Sequence, residues 1–256
     1  DSLLCVGPHQ VREIRRAEEL RNLRPKELVE CGYDLLDREI AEYAQRARPK
    51  SKRPIVLLAP SWQDDCILDS CADEVIRPLL GHGYHVIVRP HPEYVKRYRA
   101  RWEALVAHYS SYSDEELTFE QDFSTSDSIF DADVLITDWS SIFCEFSFTT
   151  LKPCICINTP MKVGNPNWER LGIEPTDITL RDEVGVSLDP KRLDQLPQMV
   201  EDMLKDPRKW NERIMRARSK TVFNPGRGAE IAGRYLLDSI LSQQTKREGA
   251  STHEAR

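Results

Sequence analysis

The chain has 256 residues, 40% of them hydrophobic and 30% charged, with a formal net charge of -6. That length holds one large domain, or one domain and part of another, and the acidic balance excludes nucleic acid as the default partner. Seven cysteines, an odd number at irregular spacing, exclude a disulfide framework and point to a reducing cytoplasm, and no apolar run is long enough to cross a membrane.

The chain opens at Asp1 directly into the apolar run 3–6, which reads as a strand. A fold that starts on a core strand leads to the expectation that a further portion lies upstream. A helix over about 9–22, a short strand at 28–31 and a helix over about 34–47 follow. This βαβα piece is too small for a stable sheet of its own. Arg48-Pro49-Lys50-Ser51-Lys52-Arg53-Pro54 reads as a linker.

A second α/β unit begins at 55–59, a continuous apolar run expected of a strand covered on both faces. Pro60-Ser61-Trp62 ends it. A helix over 70–80 stops at Gly81 and Gly83, and strand 85–88 closes at Arg89-Pro90-His91-Pro92. A charged helix is predicted over 93–108, a short strand over 117–120 leading to Gln121-Asp122, and a helix of one or two turns at 125–130. Strand 134–137 then runs through Asp138 and Trp139 into a helix over 140–149, with Ser140 as its N-cap. Strand 154–157 ends at Asn158-Thr159-Pro160. Residues 161–183, with Gly164, Pro166, Gly172 and Pro175, read as a long loop of a kind that is usually functional or mobile. The last strand, 184–188, precedes helices to about 205 and over 207–220, a turn at Asn224-Pro225-Gly226-Arg227-Gly228, and an amphipathic helix over 229–241. The polar residues 243–256 are expected to be disordered.

Strands alternating with helices imply a doubly wound, parallel, Rossmann-like sheet, in which ligands sit outside the carboxyl ends of the strands near the reversal of strand order. Polar groups collect there: Ser61, Arg89, His91, Asp138, Ser140, Ser141 and Asn158. A fixed cation, a histidine, a carboxylate and two hydroxyls at a helix start, with its free N–H groups, suit an anionic ligand such as a pyrophosphate. Two prolines hold His91 in a rigid turn, which favours a role on a reacting oxygen over a histidine satisfied by a backbone carbonyl. Glu145, one turn after Ser141, suits the hydroxyls of a ribose or polyol as well as it suits a solvated helix acid. Arg227 follows a Pro-Gly turn and could reach a phosphate, although a cap or salt bridge is the commoner role. Trp62 and Trp139 either wall the cleft or pack in the core, core packing being the commoner case.

Neither Gly-x-Gly-x-x-Gly nor Gly-x-x-x-x-Gly-Lys-Ser/Thr occurs, which removes the dinucleotide and ATPase readings. Cys66 and Cys71 lack a Cys-x-x-Cys or histidine pattern, so no metal site is expected. The basic clusters Arg12, Arg15, Arg16, Arg21 and Arg24, and Lys96, Arg97, Arg99 and Arg101, read as solvated helix faces ahead of a membrane-surface patch.

Several stretches, taken together and in order, resemble the CDP-glycerol glycerophosphotransferase family, the polymerases and primases of teichoic-acid and capsule-type polymers. They are Ala59-Pro60-Ser61-Trp62, Val88-Arg89-Pro90-His91-Pro92, Asp133-Val134-Leu135-Ile136-Thr137-Asp138-Trp139-Ser140-Ser141-Ile142 with Glu145-Phe146, Lys152-Pro153, and Phe223-Asn224-Pro225-Gly226-Arg227-Gly228-Ala229-Glu230. The resemblance spans about residues 1–240 and implies a GT-B arrangement of two Rossmann-like domains with a cleft between them. Residues 1–50 would then be a remnant of the N-terminal, acceptor-side domain, 54–225 the donor nucleotide-binding domain, and 226–242 a C-terminal helix, ahead of the tail 243–256. The family's Arg-x-His-Pro histidine maps onto His91, implying donor phosphate handling and catalysis alongside Arg89. Its Asp-Tyr-Ser-Ser motif maps onto Asp138, Trp139, Ser140 and Ser141, with tryptophan in place of tyrosine and the serines on the pyrophosphate, and its following acid maps onto Glu145. Ser61, Asn158 and Arg227 complete the expected donor site. The family's N-terminal Trp-His-Gly-Thr-Pro-Leu-Lys motif, whose histidine is proposed as the acceptor's base, has no counterpart in these residues.

The resemblance implies transfer of a phosphoglycerol-like group from a CDP-activated donor to a glycan or lipid-linked acceptor, in the cytoplasm or at the inner face of the plasma membrane with peripheral membrane contact. The nucleotide donor is substrate, and no cofactor is expected. A GT-B sugar-nucleotide glycosyltransferase or epimerase, and a non-catalytic nucleotide-binding module of a larger polymerase, remain the alternatives.

Overall fold

The computed structural model of the chain describes residues 1–47 and 53–253, so most of the expected linker at 48–54 lies outside the described residues. In chain order the elements are β1 (Ser2–Cys5), α1 (Pro8–Arg21), β2 (Glu27–Glu30), α2 (Asp34–Gln45), β3 (Ile55–Leu58), α3 (Ile67–Ser70), α4 (Ala72–Gly81), β4 (His85–Val88), α5 (Pro92–Arg97), α6 (Arg99–His108) and β5 (Leu117–Phe119). Then come α7 (Asp127–Asp131), β6 (Val134–Thr137), α8 (Ile142–Thr150), β7 (Cys154–Ile157), α9 (Thr176–Thr179), α10 (Arg181–Val184), β8 (Gly185–Leu188), α11 (Leu196–Lys205), α12 (Pro207–Thr221) and α13 (Gly228–His253). The chain divides into two compact units, one made of Asp1–Ala41 with Ser219–Arg256 and the other of Glu42–Arg218.

The larger unit is built on six parallel strands in the order β5-β4-β3-β6-β7-β8. Every residue of β3, β6 and β7 is buried, as their unbroken apolar sequences require. Helices α4 and α11 pack together and against β4 and β6, while α7, α8 and α10 pack among themselves and against β3, β6 and β7, covering both faces. Helix α4 buries Val75, Ile76 and Leu79, one stripe at helical spacing. Chain order reverses between β3 and β6, and their register pairs Val56 with Val134 and Leu58 with Ile136. This is the doubly wound Rossmann order expected from the sequence.

Three local differences from the sequence reading have physical causes. The single helix expected over 93–108 is broken at Tyr98 (φ -120°, ψ 41°). There the Tyr98 hydroxyl donates to Asp64, the Tyr94 hydroxyl donates to Asp69, and Trp102 is buried beyond the break. The loop 161–183 contains a 3-10 turn at Trp168–Leu171 and the short helices α9 and α10, the last anchored by Arg181, which is 2% exposed. Helix α13 continues to His253 through the stretch expected to be disordered. Residues 234–248 contain no proline or glycine and are rich in helix formers, so nothing in the sequence stops the helix.

In the smaller unit β1 and β2 pair in parallel, in register from Ser2 opposite Glu27 to Cys5 opposite Glu30. The residues after α12 complete it: Phe223 N–H donates to Val6 O (2.8 Å), and Asn224 Nδ2 donates to Glu30 O (2.7 Å). The Asp37 carboxylate accepts from Gly226 N–H (2.5 Å) and Gly228 N–H (2.8 Å). Gly32 sits at φ 112°, and a Cβ there would lie 2.4 Å from Phe223 O. Residues 1–41 therefore share one compact unit with the chain's C-terminal part. All seven cysteines are free.

Candidate functional site

A cavity of about 270 Å³ opens at the carboxyl ends of β3, β4 and β6, where the strand order reverses. Its walls are Ala59 and Pro60 after β3, Arg89, Pro90, His91 and Pro92 after β4, and Ser140, Ser141, Ile142 and Glu145 at the start of α8. The structure thus brings together Arg89, His91, Ser140, Ser141 and Glu145 from the set singled out in the sequence.

His91 is the N-cap of α5 (φ -62°, ψ 138°), and its Nδ1 accepts from Glu93 N–H at 3.1 Å. An accepting Nδ1 places the ring proton of the neutral imidazole on Nε2. Burial, and then the nearby Lys162, pushes the His91 pKa below its ordinary value. The ring is therefore neutral near pH 7 and presents Nε2–H as a donor.

Ser141, rather than Ser140, is the N-cap of α8, with φ -62° and ψ -12°, and makes no side-chain cap bond. Neither serine hydroxyl has a protein partner among the described residues, so both remain available beside the N–H groups of Ile142 and Phe143, while Cys144 N–H donates to Ser141 O (3.0 Å). Glu145, half-buried and without a partner among the described residues, has its pKa raised by burial.

Arg89 reaches the cavity wall, but its guanidinium is committed. Nη1 donates to Glu120 (2.6 Å) and Ser128 Oγ (3.3 Å), Nη2 donates to Thr125 O (3.0 Å), and Cζ lies 5.5 Å from the Phe123 ring centroid. Its charge is shared with the Glu120 carboxylate, so it builds the wall rather than standing as a lone cation.

The remaining residues expected in a donor site are placed elsewhere. Asp138 is fully buried: Oδ1 accepts from Ser61 N–H (2.7 Å) and Oδ2 from Ile67 N–H (3.1 Å). Both oxygens are used to join the β3 and β6 loops, which Thr137 Oγ1 reinforces by donating to Ala59 O (2.6 Å). Ser61 lies behind the cavity wall, with its buried hydroxyl unpartnered. Asn158 Oδ1 accepts from Arg181 Nη2 (3.0 Å). Arg227 belongs to the smaller unit and pairs with Glu230 at 3.1 Å.

Two features escape the sequence reading. Arg97 and Lys162 both lie over the Trp62 ring, at 4.7 and 5.1 Å from its centroid, and that ring is 6.2 Å from His91. Arg181 stacks on Trp139 at 3.9 Å, while Trp139 Nε1 donates to Thr159 O (2.7 Å). The only sequence signal for Arg181 is the Leu180/Val184 pair, one helical turn apart, beside it. Burial, then Asp138 and Asp69, pushes the Cys66 thiol up to about 12, which makes it an inert core residue. No three His, Cys, Asp or Glu side chains group as metal ligands among the described residues. Within the two basic clusters several charges are drawn into local pairs: Arg15 with Glu18, Arg16 with Glu19, Arg97 with Glu93 and Arg99 with Glu103.

A doubly wound parallel sheet with a polar cavity at its reversal point defines a Rossmann-type α/β protein. The sequence narrows this further: residues 13–161, more than half of the chain, match the CDP-glycerol:poly(glycerophosphate) glycerophosphotransferase family, and the chain belongs to that family. A variant of the wall teichoic acid polymerase TagF is similar in structure, with a TM-score of 0.53 at 16% identity over 96% of this chain and 59% of that one. A CDPG-soaked TagF gives 0.51 at 17%, over 96% and 58%. The UDP-GlcNAc 2-epimerase of Methanocaldococcus jannaschii, in complex with UDP-GlcNAc and UDP, gives 0.56 at 14%, over 87% and 58%. At these identities the likeness is one of fold, and the chain spans 59% of the length of the TagF variant. No curated protein matches the chain closely enough to count as a relative.

Proposed function

We propose that the chain carries the donor side of a glycerophosphotransferase: it binds a CDP-activated phospho-polyol such as CDP-glycerol and directs its phosphoglycerol-like group to a hydroxyl of a glycan or lipid-linked acceptor. The observation that carries this reading is the convergence of the Ser140 and Ser141 hydroxyls, the first turn of α8 and His91 on one cavity. At about 270 Å³ the cavity is at the small end for a ligand site, and suits a diphosphate better than a whole nucleotide.

In this reading the serines and the α8 N–H groups hold the nucleotide-side phosphate. The acceptor hydroxyl gives up its proton to a base outside this cavity, its oxygen forms a bond to the outer phosphorus as the bridging P–O bond breaks, and the electron pair of the broken bond leaves with CMP. His91 Nε2–H donates to the oxygen on which that charge accumulates. Glu145 takes hydrogen bonds from the hydroxyls of the ribose or polyol. Arg89 and Asp138 hold the walls in place. The chemistry as proposed draws on no resident cofactor. The acceptor would be met in the cytoplasm at the inner face of the plasma membrane, by peripheral contact; no helix among the described residues is long and apolar enough to cross a membrane. The product class would be a teichoic-acid or capsule-type polymer.

The test is a calorimetric donor screen with CDP-glycerol, CDP-ribitol, CMP-sugars and UDP-sugars, paired with a transfer assay. Preference for CDP-glycerol with turnover supports the reading. Preference for a UDP-sugar transfers it to the sugar-nucleotide enzymes, whose fold the epimerase shares. Tight CDP binding without turnover makes the chain a nucleotide-binding module. Full transfer by His91→Ala overturns the role given to that residue.

A further inference from the structure

Arg181 is the largest buried side chain that carries a charge, at 2% exposure. The other charged residues buried with it are compensated: Glu18 pairs with Arg15 and Lys26, and Asp138 accepts two backbone N–H groups. Arg181 has no carboxylate within ion-pair distance among the described residues. Its Nη2 donates to two neutral oxygens, Ile157 O (3.3 Å) and Asn158 Oδ1 (3.0 Å), its Nε and Nη1 have no hydrogen-bond partner, and the ionisable group beside it is the buried Cys156 thiol, whose pKa Cys154 and then Arg181 lower. Its planar face lies on Trp139, which in turn is fixed through Nε1 to Thr159 O. A guanidinium buried without a carboxylate partner is costly to fold around, and a thiol, neutral acceptors and a cation–π contact offset only part of that cost. Trp139 directly precedes Ser140 and Ser141, the cavity's hydroxyl pair. The guanidinium is thus separated from that hydroxyl pair by one stacked ring and one step of chain.

We propose that Arg181 is a positioning and specificity residue for this cavity: stacked behind Trp139, its only partly offset charge sets the positive potential that makes the Ser140–Ser141 turn select a diphosphate over a neutral ligand. This rests on the donor-site reading above. A counter-charge supplied by the ligand completes the pair that the protein leaves open. In a partly buried setting a full charge at this remove is worth about tenfold in affinity for an anion.

The experiment measures binding of CDP, inorganic pyrophosphate and cytidine to the full chain and to Arg181→Met and Arg181→Lys, with melting curves alongside. Expected for Arg181→Met is an affinity loss of about tenfold for CDP and pyrophosphate, a change within about twofold for cytidine, and a melting temperature equal to or above wild type, since a buried charge has been replaced by an apolar side chain of similar length. Arg181→Lys keeps most of the anion affinity. Equal weakening of CDP and cytidine, or no weakening of either anion, overturns the proposal. Wild-type binding of pyrophosphate without CDP would overturn the CDP reading while leaving Arg181 to be judged on pyrophosphate. Wild-type binding of neither anion overturns both. Should Arg181→Met fail to fold, Arg181→Gln carries the same comparison, and failure of both to fold makes Arg181 a structural residue only.

Discussion

The backbone N–H of Ser61 donates to the buried carboxylate of Asp138 over 2.7 Å. The other oxygen of that carboxylate accepts from Ile67 N–H at 3.1 Å, so one side chain after β6 fixes the whole turn after β3. Replacing Asp138 by Ala leaves two backbone donors buried without acceptors, which costs about 1–3 kcal/mol for each. The expected outcome is a shift of the urea midpoint to lower denaturant, with weakened CDP binding because the two walls part. Asp138→Asn keeps one acceptor and should lose roughly half as much.

The serines are expected to separate binding from stability. Neither hydroxyl caps α8 through its side chain. The double substitution Ser140→Ala/Ser141→Ala should therefore change stability by less than about 0.5 kcal/mol. Two hydrogen bonds to a charged phosphate are lost, and CDP affinity should fall by about tenfold or more. Thermal melting and calorimetry on the same preparation check both halves.

Two pH effects of opposite sign follow from burial at the cavity. The folded pKa of His91 lies below the ordinary 6.5. Between that lowered value and 6.5 the unfolded chain holds more protons than the native one, so stability rises with pH across this window and its contribution is complete above 6.5. His91→Asn, which can still cap Glu93 N–H, should flatten that segment of a melting-temperature-against-pH curve.

The folded pKa of Glu145 lies above the ordinary 4.5, because burial disfavours its charge. From 4.5 up to the raised value the native chain holds the extra proton, so stability falls as pH rises through that window. Glu145→Gln should remove the fall, leaving the protein more stable than wild type at pH 7, with CDP binding equal or tighter. A lower melting temperature for Glu145→Gln at pH 7 would contradict this.

Gly32 tests the smaller unit. With φ 112° and Phe223 O 2.4 Å from where a Cβ would stand, Gly32→Ala suffers both backbone strain and a clash with backbone. A loss of about 2 kcal/mol or more is expected. Hydrogen exchange should show it as lost protection within 1–41 and 219–253.

The strand-end rule located the cavity because the Rossmann order is dictated by strand alternation, and alternation is visible in runs such as 55–59 and 134–137. His91, Ser140, Ser141 and Glu145 all follow directly from it. The roles of Asp138, Asn158 and Arg89 were less legible, since a polar residue at a strand end looks the same whether it faces a ligand or a neighbouring loop. The partners that decide the matter, Ile67, Arg181 and Glu120, lie 71, 23 and 31 residues away along the chain. The break at Tyr98 was hidden for a similar reason: helix propensity across 93–108 is unbroken, and only the tertiary bonds of Tyr94 and Tyr98 oppose it.

The smaller unit takes its two halves from opposite ends of the chain, 1–41 and 219–256, with the whole larger unit synthesised between them. On the ribosome, β1 and β2 emerge ahead of the larger unit but cannot gain Phe223, Asn224 or the Asp37-bound glycines until nearly two hundred further residues have been made. The six-stranded unit is contiguous and can close as soon as β8 and α11 appear. These two strands are thus made before the six-stranded unit and find their complete surroundings after it.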